Sequence, residues 1–158
     1  LYMLIAIFLQ IIIRKLLVEK LEKKGVIFLE TANIEKFMPT VYQAEILVKN
    51  NLETYRRKGV KVFKIIHGYG STGKGGALRT GIRDYLTQLK RAKIIADFVA
   101  GEDWSVFNDT TRKILDLDNS FRKDSDLGKM NSGVTIIVIS WDGNTDSLNN
   151  TTYRPSRN

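Results

Sequence analysis

A glycine-rich loop carries most of the residues whose types and spacing suit chemistry. Five glycines fall within the nine residues 68–76, between a strand pattern that ends at His67 and a helical pattern. Glycine lets the backbone approach a phosphate closely, and the free N–H groups at the start of a helix attract anions. Lys74 adds a cation, and the imidazole of His67 could donate to a phosphate or transfer a proton. The loop therefore predicts an anion site.

Other interpretations of this loop and of its neighbours His67 and Tyr69 remain open. Residues 68–74 satisfy G-x-x-x-x-G-K, but Gly75 stands where Ser or Thr would hold magnesium in a nucleotide-binding loop. The same glycines satisfy the dinucleotide pattern G-x-G-x-x-G, but no acidic residue ends a strand about 20 residues later. His67 could instead be a structural histidine bonded to a backbone carbonyl. The ring of Tyr69 could stack on a base or pack back on the domain.

Positive charge is concentrated in the middle of the chain. The 158 residues include 25 Lys+Arg and 17 Asp+Glu, a net charge of +8. Residues 56–93 hold eleven bases and one acid, whereas residues 97–126 hold eight acids and four bases. This distribution suggests a polyanionic partner, either nucleic acid or an anionic membrane surface, unless the basic stretch is simply solvated. The eleven bases are Arg56, Arg57, Lys58, Lys61, Lys64, Lys74, Arg79, Arg83, Lys90, Arg91 and Lys93.

Cysteine and histidine counts exclude several classes of site. The chain has no cysteine, which excludes a disulfide scaffold, a thiolate metal site and a cysteine nucleophile. A single histidine excludes a multi-histidine metal cage. The sequence therefore indicates no cofactor, and it leaves a divalent metal open without indicating one.

Hydrophobic periodicity predicts an α/β domain. Apolar runs predict strands at 26–29, 60–66, 93–99 and 133–139, with Lys61 and Lys64 on the outer side of the second. Three- and four-residue spacing predicts a helix from the N-cap Thr40 to Gly59, a second helix over 78–90, and a short one over 111–117. We expect a two-layer α/β sandwich with a mixed sheet of about four strands and two main helices. Trp104 and Phe107 are expected to form a lid over the sheet edge.

Three segments resemble the Smr (small MutS-related) domain family in residue type and order. They are Ile65-Ile66-His67-Gly68-Tyr69-Gly70, Gly76-Ala77-Leu78-Arg79 and Gly133-Val134-Thr135-Ile136-Ile137-Val138, and Pro39 to Ala44 resembles the family's first helix start. Residues 101–107 resemble a short bacterial branch. The resemblance implies a compact α/β fold that binds DNA or RNA, with endonuclease activity in some members. It implies that His67 is catalytic and that nucleic acid contacts His67, Gly68, Tyr69, Gly70, Lys74, Arg79 and Arg83.

One departure from the family concerns its first-strand signature, L-D-L-H-G. The alignment places Phe28 at the Asp position and Glu30 at the His position. We therefore expect cleavage, if the protein cleaves, to be weak, with Glu30 as a candidate base.

The chain is expected to divide into an apolar and basic extension over 1–25, a nucleic-acid-binding domain over 26–139 and a disordered polar tail over 140–158. The extension is a truncated membrane anchor, an amphipathic or swapped helix, or sequence that is not native, with translation starting near Leu29 or at Met3. If the extension were native, a membrane-anchored basic protein would be the alternative function. The main prediction is a cytoplasmic protein whose partner is nucleic acid.

Overall fold

The computed structural model describes residues 2–22, 29–69 and 76–142. Its helices are α1 (Tyr2–Glu22), α2 (Val41–Arg57), α3 (Ala77–Arg91) and α4 (Asp109–Leu117), and its strands are β1 (Glu30–Asn33), β2 (Val62–Ile66), β3 (Asp97–Ala100) and β4 (Val134–Val138). Short 3-10 turns cover Glu35–Phe37, Gly101–Asp103 and Asn119–Lys123.

The four described strands form one mixed sheet in the order β1-β2-β4-β3. β1 pairs with β2 in parallel, and β4 pairs antiparallel with both β2 and β3. This arrangement confirms the predicted fold class. All five residues of β4 are buried, as its continuous apolar run predicts for a central strand.

Two predicted strands begin later than expected. The first described strand is Glu30–Asn33 rather than 26–29, and residues 26–28 lie outside the described part of the chain. The strand predicted over 93–99 is Asp97–Ala100, because Ile94 and Ile95 are buried in the turn that follows α3. Apolar content alone does not separate such a turn from a strand.

The two main helices pack side by side on one face of the sheet. The side chain of Thr40 caps α2 by accepting from the backbone N–H of Gln43, whose own side chain accepts from the N–H of Thr40. The apolar stripe of each helix is buried against the sheet, as the periodicity predicts. These residues are Ala44, Val48, Leu52 and Tyr55 on α2, and Ile82, Tyr85, Leu86 and Leu89 on α3.

The connection between β3 and β4 covers the other face of the sheet. Trp104 is fully buried in the apolar cluster on this face, and its Nε1 donates to Asp124 at 3.0 Å. Phe107 is 90% exposed. The expectation of an aromatic lid formed by these two residues is therefore wrong: Trp104 is core, and Phe107 is on the surface.

Lys64 is buried on this same face, contrary to the prediction that it lies outside. Its Nζ lies 2.6 Å from a carboxylate oxygen of Asp124 and 2.6 Å from one of Asp126. The prediction failed because a charged residue in a strand pattern normally marks a solvated face. Here two acids some sixty positions away compensate the buried charge.

Residues near the two ends of the described chain differ in how much of their side chains is buried. Side chains of residues 2–17 of α1 are all exposed. Within the described residues, no helix combines the length and apolar character needed to cross a membrane. At the other end, Ser140 is buried and Trp141 packs on the apolar cluster that contains Trp104, so packed residues continue past residue 139. Residues 143–158 lie outside the described part.

Candidate nucleic-acid interface

The end of β2 is held against the segment that precedes β4. The backbone N–H groups of His67 and Gly68 both donate to the carbonyl oxygen of Gly133, each at 3.0 Å. Gly68 has φ +75°, and a Cβ added there would overlap the carboxylate of Glu35. The left-handed backbone is what favours glycine here, because the overlapping atoms belong to the flexible, exposed side chain of Glu35. The H-G sequence thus fixes the direction in which the chain leaves the sheet.

His67 lies beneath this turn, and its imidazole is 1% exposed. Its Nδ1 lies 3.1 Å from the carbonyl oxygen of Gly68, and its Nε2 lies 3.0 Å from the Thr135 hydroxyl oxygen. Both nitrogens are satisfied when Nδ1–H donates to the carbonyl and Nε2 accepts from the hydroxyl, which is the neutral ring. Burial lowers the pKa of His67, and the cations of Arg83 and Arg79 lower it further.

The expected direct contact between His67 and a phosphate is therefore not met in this structure. The ring has no exposed edge to offer a ligand, and both nitrogens already have partners. What the imidazole does is join the Gly68 turn to Thr135 on β4. This geometry matches the alternative interpretation of a structural histidine.

The first backbone N–H groups of α3 have no hydrogen-bond partner among the described residues. Gly76 is the N-cap, with φ +104°, and it has no side chain with which to cap the helix. The first N–H groups of a helix have no partner within that helix, and they carry the positive end of its dipole. A guanidinium nitrogen of Arg79 lies close to Gly76, 3.5 Å from where a Cβ would be. The end of α3 thus joins backbone donors to a cation.

Arg83, one turn further along α3, is already paired. Its two terminal nitrogens donate to the two carboxylate oxygens of Glu102 at 2.8 and 2.6 Å. The hydrogen bonds from Arg83 hold the pKa of Glu102 below its ordinary value. The ion pair of Arg83 reduces the free positive charge of the predicted cationic face. Arg79, the other arginine of that face, makes no ion pair with any described residue.

Other bases of the predicted basic stretch also have partners. Lys90 pairs with Asp97 at 2.5 Å, Arg57 with Glu53 at 3.5 Å, and Arg56 donates to the carbonyl of Ile94 at 2.7 Å. Among the residues that the structure describes, the bases of this stretch without an ion pair or hydrogen bond are Lys58, Lys61, Arg79, Arg91 and Lys93. Lys74 and Gly70 lie outside the described residues, so their predicted role stays a prediction.

The acid beside the H-G turn is Glu35, which is not among the residues predicted for the site. Its side chain lies against Gly68. Glu30 is at the opposite end of β1, opposite Phe63 and near the hydroxyl of Tyr55, whose pKa it raises in addition to the effect of burial. The expectation that Glu30 serves this site is therefore wrong. The only sequence signal for Glu35 was its position between the first strand and the first helix of the domain.

Residues 37–103 match the family model of the Smr domain. This part of the chain is similar to the Smr domain family. The match spans α2, β2, the glycine-rich loop, α3 and β3, and it confirms the resemblance seen in the sequence. The crystal structure of the Smr domain of Thermus thermophilus MutS2 is similar to this chain, with 22% identity and a TM-score of 0.42, over 71% of this chain and 99% of that one. No curated protein matches the sequence. Membership of the short bacterial branch stays a prediction.

Proposed function

We propose that this Smr-like domain binds nucleic acid at the end of the sheet where β2 meets the N-terminus of α3. One observation carries the proposal: the start of α3, where neither the helix end nor Arg79 has a side-chain partner among the described residues, directly follows the glycine-rich loop. Smr domains bind nucleic acid at the family level, and the family match covers this region. The polymer's phosphates are the ligand that suits such a site.

The roles of the predicted residues divide according to their exposure and pairing. Arg79 and the first-turn N–H groups of α3 contact phosphate. His67 and Gly68 act indirectly, because they set the path of the chain into the loop. Arg83 contributes less than its charge suggests, because phosphate must compete with Glu102 for the same two donors. Lys74 adds a further phosphate contact in this proposal.

The test is the salt dependence of binding, measured by fluorescence anisotropy on a labelled oligonucleotide. The salt concentration is varied from about 50 to about 200 mM, because affinities that depend on phosphate contacts fall steeply over this range. Arg79→Ala should reduce the slope of log K against log salt by about one unit, since one phosphate contact is lost. Arg91→Ala is the matched control, because Arg91 is on the same helix, unpaired among described residues and about 18 Å away. Arg83→Ala should change the slope less than Arg79→Ala does.

Equal slope changes for Arg79→Ala and Arg91→Ala would show that binding is spread over the whole basic surface. An unchanged slope in Arg79→Ala would place the interface elsewhere. Either result would contradict the proposal.

The second candidate function is nicking of a phosphodiester, and the position of Glu35 favours it. The carboxylate lies beside Gly68 at the end of the sheet that we assign to phosphate, so it is placed to accept a proton from water. His67 would support cleavage only by holding the loop. Glu35→Gln should reduce nicking of supercoiled plasmid by about 10²-fold or more, and Glu30→Gln should leave it unchanged. Equal activity of both variants would exclude this role of Glu35.

A further inference from the structure

Exposed aromatic side chains collect around the proposed phosphate site. In residues 29–69 and 76–142, the large exposed aromatics are Phe37 (60%), Tyr42 (55%), Tyr69 (63%) and Phe107 (90%). Phe37 and Tyr69 belong to segments that touch each other, because the side chain of Glu35 lies against Gly68. Three of the four therefore fall on two segments, 37–42 and 67–69, rather than being scattered over the body.

The turn that carries Phe37 has a defined shape. The N–H of Phe37 donates to the carbonyl of Ile34 at 3.2 Å, and the N–H of Met38 donates to that of Glu35 at 2.9 Å. Met38 has φ +46°, a left-handed conformation that few residues other than glycine adopt. The backbone bonds hold this turn closed although the conformation is strained, so Phe37 is presented in a defined place.

Positive charge accompanies these rings. The ammonium of Lys36 lies 5.0 Å from the centroid of the Phe37 ring, within the range of a cation–π contact. Gly81 of α3 lies against Val41, the first residue of α2, so the start of α3 with Arg79 lies beside the segment 37–42. Aromatic faces beside cations are the combination by which proteins bind single strands, since the rings stack on bases and the cations meet phosphates.

We propose that Phe37 and Tyr69 stack on unpaired bases, so that the substrate class of this domain is single-stranded nucleic acid, or the single-stranded part of a junction, in preference to a continuous duplex. The proposal rests on the proposed function and narrows it. In a duplex the faces of the bases are already stacked on each other, and only an unpaired base has a free face for these rings. Stacking requires no sequence preference, because every base has such a face.

The experiment compares binding of a single strand of about 15 nucleotides with binding of the duplex of the same sequence. This length is of the order of the site size of one small domain. A 2-aminopurine in the strand reports stacking by its fluorescence, and the same strand made of RNA is measured in parallel. The variants are Phe37→Ala and Tyr69→Ala, with Phe107→Ala as the matched control, since Phe107 is exposed and lies in the turn before α4. Circular dichroism confirms that each variant is folded.

We expect Phe37→Ala and Tyr69→Ala each to weaken binding of the single strand about 5- to 150-fold, which is what about 1–3 kcal/mol of stacking per base amounts to. Binding of the duplex should change less than about twofold, and quenching of 2-aminopurine should decrease in parallel. Phe107→Ala should match the wild type, and Tyr69→Phe should retain the stacking.

The following results would overturn the inference. A wild-type protein that prefers duplex, or equal losses on strand and duplex in the alanine variants, would show that the rings do not read unpaired bases. Unchanged affinity in both variants would show that they are not in the interface. In these cases a salt slope that still depends on Arg79 would leave the proposed function standing, whereas a wild-type protein that binds none of the nucleic acids would overturn both.

Discussion

Replacing Lys64 by methionine tests whether the buried charge on the sheet holds the β3–β4 connection in place. The side chains of Lys64, Asp124 and Asp126 are 6%, 7% and 19% exposed, respectively. Both acids have additional donors, the indole N–H of Trp104 for Asp124 and the amide of Asn131 for Asp126. Lys64→Met would leave two buried carboxylates facing each other without a cation. It keeps the aliphatic length of the side chain, so the loss is mainly one of charge.

The expected cost is about 3–5 kcal/mol, the usual effect of removing one partner of a buried ion pair. That is a large fraction of the roughly 5–15 kcal/mol by which domains are stable. The effect should depend on pH. Although burial acts in the opposite direction, the hydrogen bonds from Lys64 and Asn131 hold the pKa of Asp126 below its ordinary value. The stability that Asp126 contributes is complete above its unfolded pKa, about 3.9, and is lost as pH falls through the lower folded value. The difference between wild type and variant should therefore be largest near neutral pH and narrow in acid.

Urea unfolding followed by circular dichroism at about pH 7 and about pH 2.5, which lie above and below most of this titration, measures the effect. Lys61→Met is the matched control, because Lys61 is exposed just before the same strand, and its free energy of unfolding should change by less than about 0.5 kcal/mol. Adding Asp124→Asn and Asp126→Asn to Lys64→Met should recover part of the loss, since no buried negative charge remains.

The same variant also bears on function. Because Lys64 is buried and paired, Lys64→Met should leave the salt slope of nucleic-acid binding unchanged, measured at a temperature where the variant is folded. A loss of stability below about 1 kcal/mol, equal to that of Lys61→Met, would refute the reasoning. It would mean that Lys64 is solvated and belongs to the basic surface after all.

Two further predictions concern His67 and the N-terminal segment. The only imidazole of the chain should titrate below its ordinary value of about 6.5 in NMR spectra. Because the unfolded chain takes up that proton first, stability should be complete above about pH 6.5 and decline as pH falls towards the lower folded value; a titration at or above 6.5 would contradict the buried neutral ring. Deleting residues 1–25 should leave the melting temperature and its cooperativity unchanged, since the side chains of residues 2–17 are exposed and we propose that 26–139 fold alone. A loss of cooperative melting on calorimetry would show that α1 is part of the core.

Local patterns predicted most of the elements and the position of the glycine-rich turn. The cap at Thr40, the buried stripes of α2 and α3 and the central position of β4 follow from residue spacing, because a cap or a stripe depends on neighbours within a few residues. The start of the first strand was not predictable in this way. A stretch such as Glu30–Asn33 has little apolar character, and its pairing with β2 makes it a strand.

Long-range pairing of charges is what the sequence did not reveal about the candidate site. The pairs Arg83–Glu102 and Lys64–Asp124 join residues that are 19 and 60 positions apart, and nothing in their local sequence announces the partner. A count of bases therefore overstated the free positive charge at the end of the sheet. The position of Glu35 beside Gly68 likewise depends on how β1 and β2 align, which a one-residue change in register would alter.

The place of β4 in the sheet has a consequence for how the protein is made. β4 is the last strand in the described chain, yet it lies between β2 and β3 and bonds to both. During synthesis, β2 and β3 therefore emerge from the ribosome with no neighbour on their inner edges, and unpaired edges of this kind promote association with other chains. The sheet closes only when residues 134–138 have been made. If synthesis ends before residue 134, β2 and β3 lack the strand that joins them. Such a chain is a substrate for chaperones and proteases rather than a smaller version of the domain.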